Sequence, residues 1–147
     1  MEAPSERIAQ AADRLHSLAI HLLRDVARED ARSGLSAARL SALSVVCYGG
    51  PCTMRDLAAA ERVSQPTMSS TVAGLVGDGL VTRAPSTVDG RAVVVTATPK
   101  GRRLLQRARA RRLAVLTDRL TGLTGREMKA LTTTLDALER ELHRTPC

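Results

Sequence analysis

Two short segments carry the side chains best suited to chemistry: a run of hydroxyl and amide groups and a turn that ends in arginine. The first segment runs from Ser64 to Ser70, and the second is Asp89-Gly90-Arg91. Short hydroxyl side chains donate hydrogen bonds to phosphates and base edges at a small cost in ordering entropy, and arginine suits a narrow, electronegative groove. These residue types favour contact with a polyanion.

An enzyme needs a nucleophile beside a base, a carboxylate pair or a phosphate-binding loop, and the sequence shows no such constellation. Cys47, Cys52 and Cys147 are odd in number and lack the paired spacing of a zinc site. His16 and His21 are five residues apart, about 140° around a helix, so they do not form a metal pair. We therefore expect no enzymatic activity, no metal and no cofactor.

The charge balance also points to a polyanionic partner. The chain of 147 residues has 22 basic and 15 acidic side chains, and residues 98–147 hold most of the excess. Aromatic residues make up only 1%, which excludes a stacking platform for single-stranded nucleic acid. Because no apolar run approaches membrane-spanning length and the start lacks a signal-peptide layout, we expect a cytoplasmic protein without a membrane partner.

The spacing of apolar residues and the capping signals predict a mainly α chain with a small β wing. Ser36, Thr53, Ser64 and Thr98 each precede a predicted helix as an N-cap. In order, the predicted elements are a long helix over 6–31, a helix from 37 to the Gly49-Gly50-Pro51 breaker, a short helix over 54–60, a helix from Ser64 to Gly79, strands over 80–84 and 92–96, and long helices over 99–120 and from 125.

This order predicts a winged helix-turn-helix between helices too long for so small a core. The first helix and the last carry apolar stripes outside the helix-turn-helix, and a second copy of the chain would bury both stripes in a two-fold dimer. Two-fold symmetry would place two recognition helices ~34 Å apart, the spacing of a near-palindromic operator.

The sequence resembles the MarR-type winged-helix transcriptional regulators between Thr53 and Gly101. The resemblance rests on Thr-Met-Arg-Asp-Leu-Ala, Val-Ser-Gln-Pro-Thr-Met-Ser-Ser, Gly-Leu-Val-Thr-Arg, Asp-Gly-Arg and Thr-Pro-Lys-Gly, in the family's order. It implies one MarR-type domain over 1–147, with a DNA-binding winged helix-turn-helix over 36–98 and dimerisation helices over 1–32 and 99–145. It also implies a sequence-specific regulator of double-stranded DNA, a homodimeric repressor that a small aromatic or phenolic effector releases.

The resemblance implies that hydroxyl and amide side chains from Ser64 to Ser70 enter the major groove, and that Arg91, braced by Asp89, reaches the minor groove. Arg83 either contacts a phosphate or bridges to the wing. This sequence has Ser70 and Gly74 where the family often has a basic residue, which favours apolar, water-mediated or shape readout over guanine reading. The predicted DNA-binding residues are Ser64, Gln65, Pro66, Thr67, Ser69, Ser70, Arg83, Asp89 and Arg91.

Family members often bind their effector between the dimerisation helices and the winged domain. Here His16, Arg39 and Tyr48 are the candidate ligand-binding residues, and the alternative for each is a partly exposed helix residue without a ligand. Cys47 suggests a redox sensor, but it lies on an apolar helix side with no cation adjacent in sequence, which favours an inert core thiol. An adaptor that uses the same fold without DNA is the remaining alternative, because the recognition face lacks basic residues.

Overall fold

The computed structural model describes residues 4–88 and 90–144, so Asp89 and Cys147 lie outside the described residues. The helices and strands in chain order are α1 (Pro4–Ala31), α2 (Ala37–Gly49), β1 (Cys52–Thr53), α3 (Met54–Ala60), α4 (Gln65–Gly77), β2 (Val81–Pro85), β3 (Val93–Ala97), α5 (Pro99–Leu120) and α6 (Gly125–Arg144). This order confirms the predicted fold, a mainly α winged helix-turn-helix with long helices before and after it.

Side-chain caps start four helices where the sequence predicts them, and at α5 the cap is Thr98, whose hydroxyl accepts from the Gly101 N–H. Ser36, Thr53 and Ser64 have extended backbone, and each side-chain oxygen accepts a hydrogen bond from the backbone N–H three residues later. Each bond satisfies an N–H group that has no partner within its helix. The turn between α3 and α4 includes Arg62, which has a positive φ of 54°.

The sheet has three antiparallel strands in the order β1, β3, β2, one strand more than the two predicted from the sequence, and β2 and β3 form a hairpin. In the hairpin Val81 pairs with Ala97 and Pro85 with Val93, whereas in the extra strand Cys52 pairs with Val95. Because β1 has only two residues and forms by pairing with a distant strand, it leaves no alternating pattern in the sequence.

The core lies where α2, α3 and α4 pack against the sheet and the first turns of α5. Its side chains are aliphatic residues, alanines and Met68, and none of the residues that the structure describes is both buried and polar or charged. The largest fully buried side chains are Leu43, Leu57, Leu75, Leu80 and Leu105. The burial of Met68, Val72 and Leu75 leaves the opposite face of α4 in solvent.

The start of α5 is fixed against the end of the α4 region by Thr98 and Gly101. The Thr98 hydroxyl donates to the carbonyl of Gly79 at 2.8 Å and accepts from the Gly101 N–H at 3.1 Å. A Cβ on Gly101 would lie 2.2 Å from the Leu80 carbonyl oxygen, so this close approach requires glycine.

The chain divides into two compact units, one up to Arg112 and one from Leu113 onward. In the first unit α1 keeps several large apolar side chains in solvent, among them Ile8, Leu15 and Leu23. In the second unit α6 likewise exposes Leu135, Leu138 and Leu142. The Thr124 N–H donates to the Glu127 carboxylate at 2.8 Å and the Glu127 N–H donates to the Thr124 hydroxyl at 3.3 Å, so the two residues form a capping box at the start of α6.

Candidate nucleic-acid interface

The exposed face of α4 is uncharged and made of small side chains. Met68, Val72 and Leu75 are buried on the opposite face, which fixes the rotation of the helix about its axis. The exposed positions at helical spacing are Pro66, Ser69, Ser70, Ala73 and Gly77. With no long side chain along this stripe, the backbone of α4 can approach another surface closely.

Two hydroxyl groups at the start of α4 bond to each other. Ser64 Oγ and Thr67 Oγ1 are 2.8 Å apart, and Ser64 Oγ also accepts from the Thr67 N–H at 3.3 Å. A hydroxyl group donates one proton and accepts at two lone pairs, so each keeps some capacity for an outside partner. Gln65, Ser69 and Ser70 are exposed beside them. The start of α4 thus presents both hydrogen-bond donors and acceptors.

A concave surface lies between α3, the start of α4 and the β2–β3 wing, and it lines an open cavity of about 1160 Å³. Five of the predicted DNA-binding residues line it: Gln65, Pro66, Ser69, Arg83 and Arg91. Ser64, Thr67 and Ser70 are exposed on α4 but do not line it, and Asp89 lies outside the described residues. The fold therefore brings together two regions, the start of α4 and the wing, that are about twenty residues apart in sequence.

The same surface includes Arg55, which is not among the DNA-binding residues predicted from the sequence. Thr53 caps α3, its hydroxyl donates to Asp56 at 2.7 Å, and Leu57 and Ala58 are buried. This arrangement leaves Arg55 exposed, on the concave surface with Arg83 and Arg91. A signal for Arg55 was present in the sequence. The Thr53–Asp56 capping pair marks the start of α3, and Leu57 and Ala58 mark its buried side, so Arg55 is expected on the outer side.

Arg39 of α2 lies on α4. A Cβ on Gly74 would be 2.1 Å from Nη2 of Arg39, and Nη1 of Arg39 lies 3.3 Å from the carboxylate of Asp78. The side chain of Arg39 is 39% exposed. The helix that carries no basic residue of its own therefore has a guanidinium group from another helix on its surface.

The three candidate ligand residues do not line the concave surface. His16 is exposed on α1, Tyr48 is 65% exposed near the end of α2, and Arg39 contacts α4 as described. A ligand role for them remains a prediction.

Cys47 is half-buried against the core, and burial raises the pKa of its thiol, an effect that the charge of Arg102 partly offsets. Arg102, far away in sequence, donates to the Cys47 carbonyl at 3.4 Å. Burial and the nearby Asp56 also raise the pKa of the Cys52 thiol. A raised pKa lowers the thiolate fraction and so does not favour a redox sensor.

Within residues 4–88 and 90–144, no three His, Cys, Asp or Glu side chains are grouped so that they could hold a metal ion. The helices of this part of the chain also lack a segment with the length and hydropathy that crossing a membrane requires.

Comparison with known proteins gives a consistent result. Residues 33–92 match the MarR family. The chain is 34% identical over 130 residues to an HTH-type transcriptional regulator of Mycobacterium bovis, covering 88% of this chain and 91% of that protein. It is 32% identical over 138 residues to an HTH-type transcriptional regulator of Mycobacterium leprae, covering 94% of this chain and 96% of that one.

Solved structures share the fold at lower sequence identity. A MarR family protein from Bacillus stearothermophilus superposes with a TM-score of 0.82 at 18% identity, covering 97% of this chain and 99% of that one. The multiple antibiotic-resistance repressor of Listeria monocytogenes superposes with a TM-score of 0.82 at 19% identity, covering 97% and 100%. These similarities span both compact units of the chain.

Proposed function

The chain belongs to the MarR family and is a transcriptional regulator with a winged-helix DNA-binding fold, and we propose that it is a dimeric repressor of a near-palindromic operator. The observation that carries the proposal is the concave surface on which Arg55, Arg83 and Arg91 surround the start of an uncharged α4.

In this proposal the arginines and the helix have different tasks. Arg55 and Arg83 bind phosphates, which positions the protein on the duplex without reading sequence. Arg91 enters the minor groove beside the wing, where a narrow A·T-rich groove has the negative potential that attracts a guanidinium group. The exposed hydroxyl and amide groups of α4 contact base edges in the major groove.

Readout by α4 depends on close approach rather than on long side chains. Arginine and lysine make the common bidentate contacts to guanine, and α4 has neither. Ser69, Ser70 and Ala73 can instead contact thymine methyl groups or bind bases through bridging water. Operator specificity then includes a large contribution from DNA shape.

A dimer accounts for the apolar side chains that a single chain leaves in solvent. Ile8 is 70% exposed on α1, and Leu142 is 76% exposed on α6. Exposed apolar side chains repeated at helical spacing are typical of a protein interface. Two-fold symmetry would pair identical surfaces and place two copies of α4 ~34 Å apart, on two half-sites one duplex turn apart.

An effector that releases the repressor remains part of the proposal through the family resemblance, with His16, Arg39 and Tyr48 as the residues to vary first. The adaptor alternative makes a different prediction, because an adaptor has no preference for any duplex.

The decisive experiment is a salt titration of binding to the DNA upstream of the protein's own coding sequence and to a scrambled duplex of equal length. A specific regulator binds the upstream DNA much more tightly, and retains that preference at physiological salt. Equal binding to both duplexes that disappears with salt would contradict the proposal and favour the adaptor.

A further inference from the structure

The surface of α4 bears one feature that its own sequence does not supply, the guanidinium group of Arg39. Arg39 comes from the first turns of α2, and an added Cβ on Gly74 would lie 2.1 Å from its Nη2, 2.4 Å from Cζ and 2.6 Å from Nε. All three distances are far inside van der Waals contact. The guanidinium group therefore occupies the volume that a side chain at position 74 would need.

This contact lies beside the face of α4 that the proposed function places in the major groove. Gly74 follows Ser70 by one helical turn, and its neighbours Ala73 and Gly77 are exposed. Because these residues are small, no side chain on this part of α4 separates the Arg39 guanidinium from an approaching surface. The arginine is then at the edge of the proposed interface, at the end of α4 opposite to the concave surface.

The bond that holds Arg39 is weak enough to exchange. Its Nη1 lies 3.3 Å from Asp78 Oδ2, and the two side chains are 39% and 47% exposed. Ion pairs this exposed contribute little to the stability of a fold. A guanidinium group has five N–H donors, so it can bind a phosphate while it keeps or releases the carboxylate.

We propose that Arg39 is a phosphate-binding residue that α2 supplies to the surface of α4 through the gap left by Gly74. This inference rests on the proposed function, since it concerns the same duplex. It places a phosphate contact near the end of α4, whereas Arg55 and Arg83 lie near its start. The DNA backbone is then held near both ends of the helix. In the free protein the guanidinium group pairs with Asp78, and this carboxylate competes with a phosphate for the same donors.

The competing role for Arg39 is structural, in which it only ties α2 to α4 through Asp78. The two roles predict different results for the slope of log K against log salt concentration. Each phosphate contact contributes ~0.9 to that slope in duplex DNA, and a structural tie contributes nothing to it.

The test compares Arg39→Gln with the wild-type protein on upstream and scrambled duplexes over a range of salt concentrations. We expect the magnitude of the slope to fall by ~0.9. The affinity at low salt should also fall, and by the same factor for the upstream duplex as for the scrambled one, because a phosphate contact carries no sequence information. Arg32→Gln is the matched control. Arg32 follows α1 directly, is exposed like Arg39, and also pairs with a carboxylate, that of Glu29 at 3.1 Å. The control should leave the slope unchanged.

A double-mutant cycle with Asp78→Asn completes the test. Asp78→Asn releases the guanidinium group from its carboxylate, so this variant should bind DNA as tightly as the wild-type protein or more tightly. Any gain in affinity that depends on Arg39 should be absent from the double variant Asp78→Asn, Arg39→Gln. An unchanged slope for Arg39→Gln, or weaker binding for Asp78→Asn, would overturn the phosphate role in favour of the structural tie. Absence of specific binding by the wild-type protein would instead contradict the proposed function itself, so the two failures are distinguishable. Melting temperatures of all variants verify that each is folded.

Discussion

The guanidinium group of Arg39 occupies the volume that a side chain on Gly74 would fill, so one residue of α2 and one missing side chain of α4 together form a single surface. Neither residue alone would produce this surface. An arginine on α2 is an ordinary exposed cation, and a glycine inside a helix costs about 0.5–1 kcal/mol relative to alanine.

Gly74→Ala should displace Arg39 and weaken DNA binding without unfolding the protein. The new Cβ would be 2.1 Å from Nη2, but a flexible side chain can move away, and alanine favours the helix by about 0.8–1 kcal/mol. We expect an unchanged or higher melting temperature together with the same loss of salt slope as Arg39→Gln. A lower melting temperature with an unchanged slope would show that the contact is structural.

Arg91→Ala should abolish or greatly weaken duplex binding, because it removes the proposed minor-groove contact of the wing. Arg126→Ala, an exposed arginine at the start of α6, is the control and should bind as the wild-type protein does. Fluorescence anisotropy with labelled upstream DNA measures both. Undiminished binding by Arg91→Ala would exclude the wing from the interface.

Arg55→Gln should weaken binding to every duplex to a similar extent. Arg55 lines the concave surface and its proposed partner is a phosphate, so we expect the salt slope to fall by ~0.9 with the specificity ratio unchanged. The measurement is the same salt titration with upstream and scrambled DNA. A change confined to the upstream duplex would mean that Arg55 contacts a base instead.

Gly101→Ala should destabilise the fold severely. Its Cβ would lie 2.2 Å from the Leu80 carbonyl oxygen and 3.1 Å from Leu43 Cδ1, and neither the backbone nor the packed leucine can move freely. Overpacking in a core costs about 1–3 kcal/mol, and a backbone clash belongs at the upper end of that range. Urea unfolding measures the effect, with Gly49→Ala as the control because nothing lies within 4 Å of its added Cβ.

The Cys47 thiol should react slowly with iodoacetamide at pH 8 in the folded protein. Burial raises the pKa of this thiol, so the thiolate fraction at pH 8 is smaller in the folded protein than in the unfolded chain. The measurement uses a variant with Cys52→Ala and Cys147→Ala, compared with the same variant in denaturant. Faster alkylation in the folded state would revive the redox-sensor alternative.

Features set by neighbouring residues could be predicted from the sequence. Ser36, Thr53 and Ser64 cap helices through a bond to a residue three positions later, so the helix starts were evident. The hairpin was evident too, because its turn signals are local.

Features set by distant residues could not be predicted. The strand β1 depends on pairing between Cys52 and Val95, and the Arg39 contact depends on a glycine 35 positions away. The Thr53 cap indicates that Arg55 lies on the outer side of α3, but its position beside Arg83 and Arg91 could not be predicted, since these two residues come from the wing. Local sequence patterns do not predict contacts between residues that are distant in the chain.

The small, uncharged side chains on the outer face of α4 make the regulator easy to redirect during evolution. Ser69, Ser70 and Ala73 are exposed, and the packing of Met68, Val72 and Leu75 does not depend on them. Substitutions on a solvent-facing helix surface usually change stability by no more than about 0.5 kcal/mol. If α4 reads the operator as proposed, a gene duplicate would acquire a new operator through one or two changes on this face while it keeps its fold, its wing and the proposed phosphate contacts.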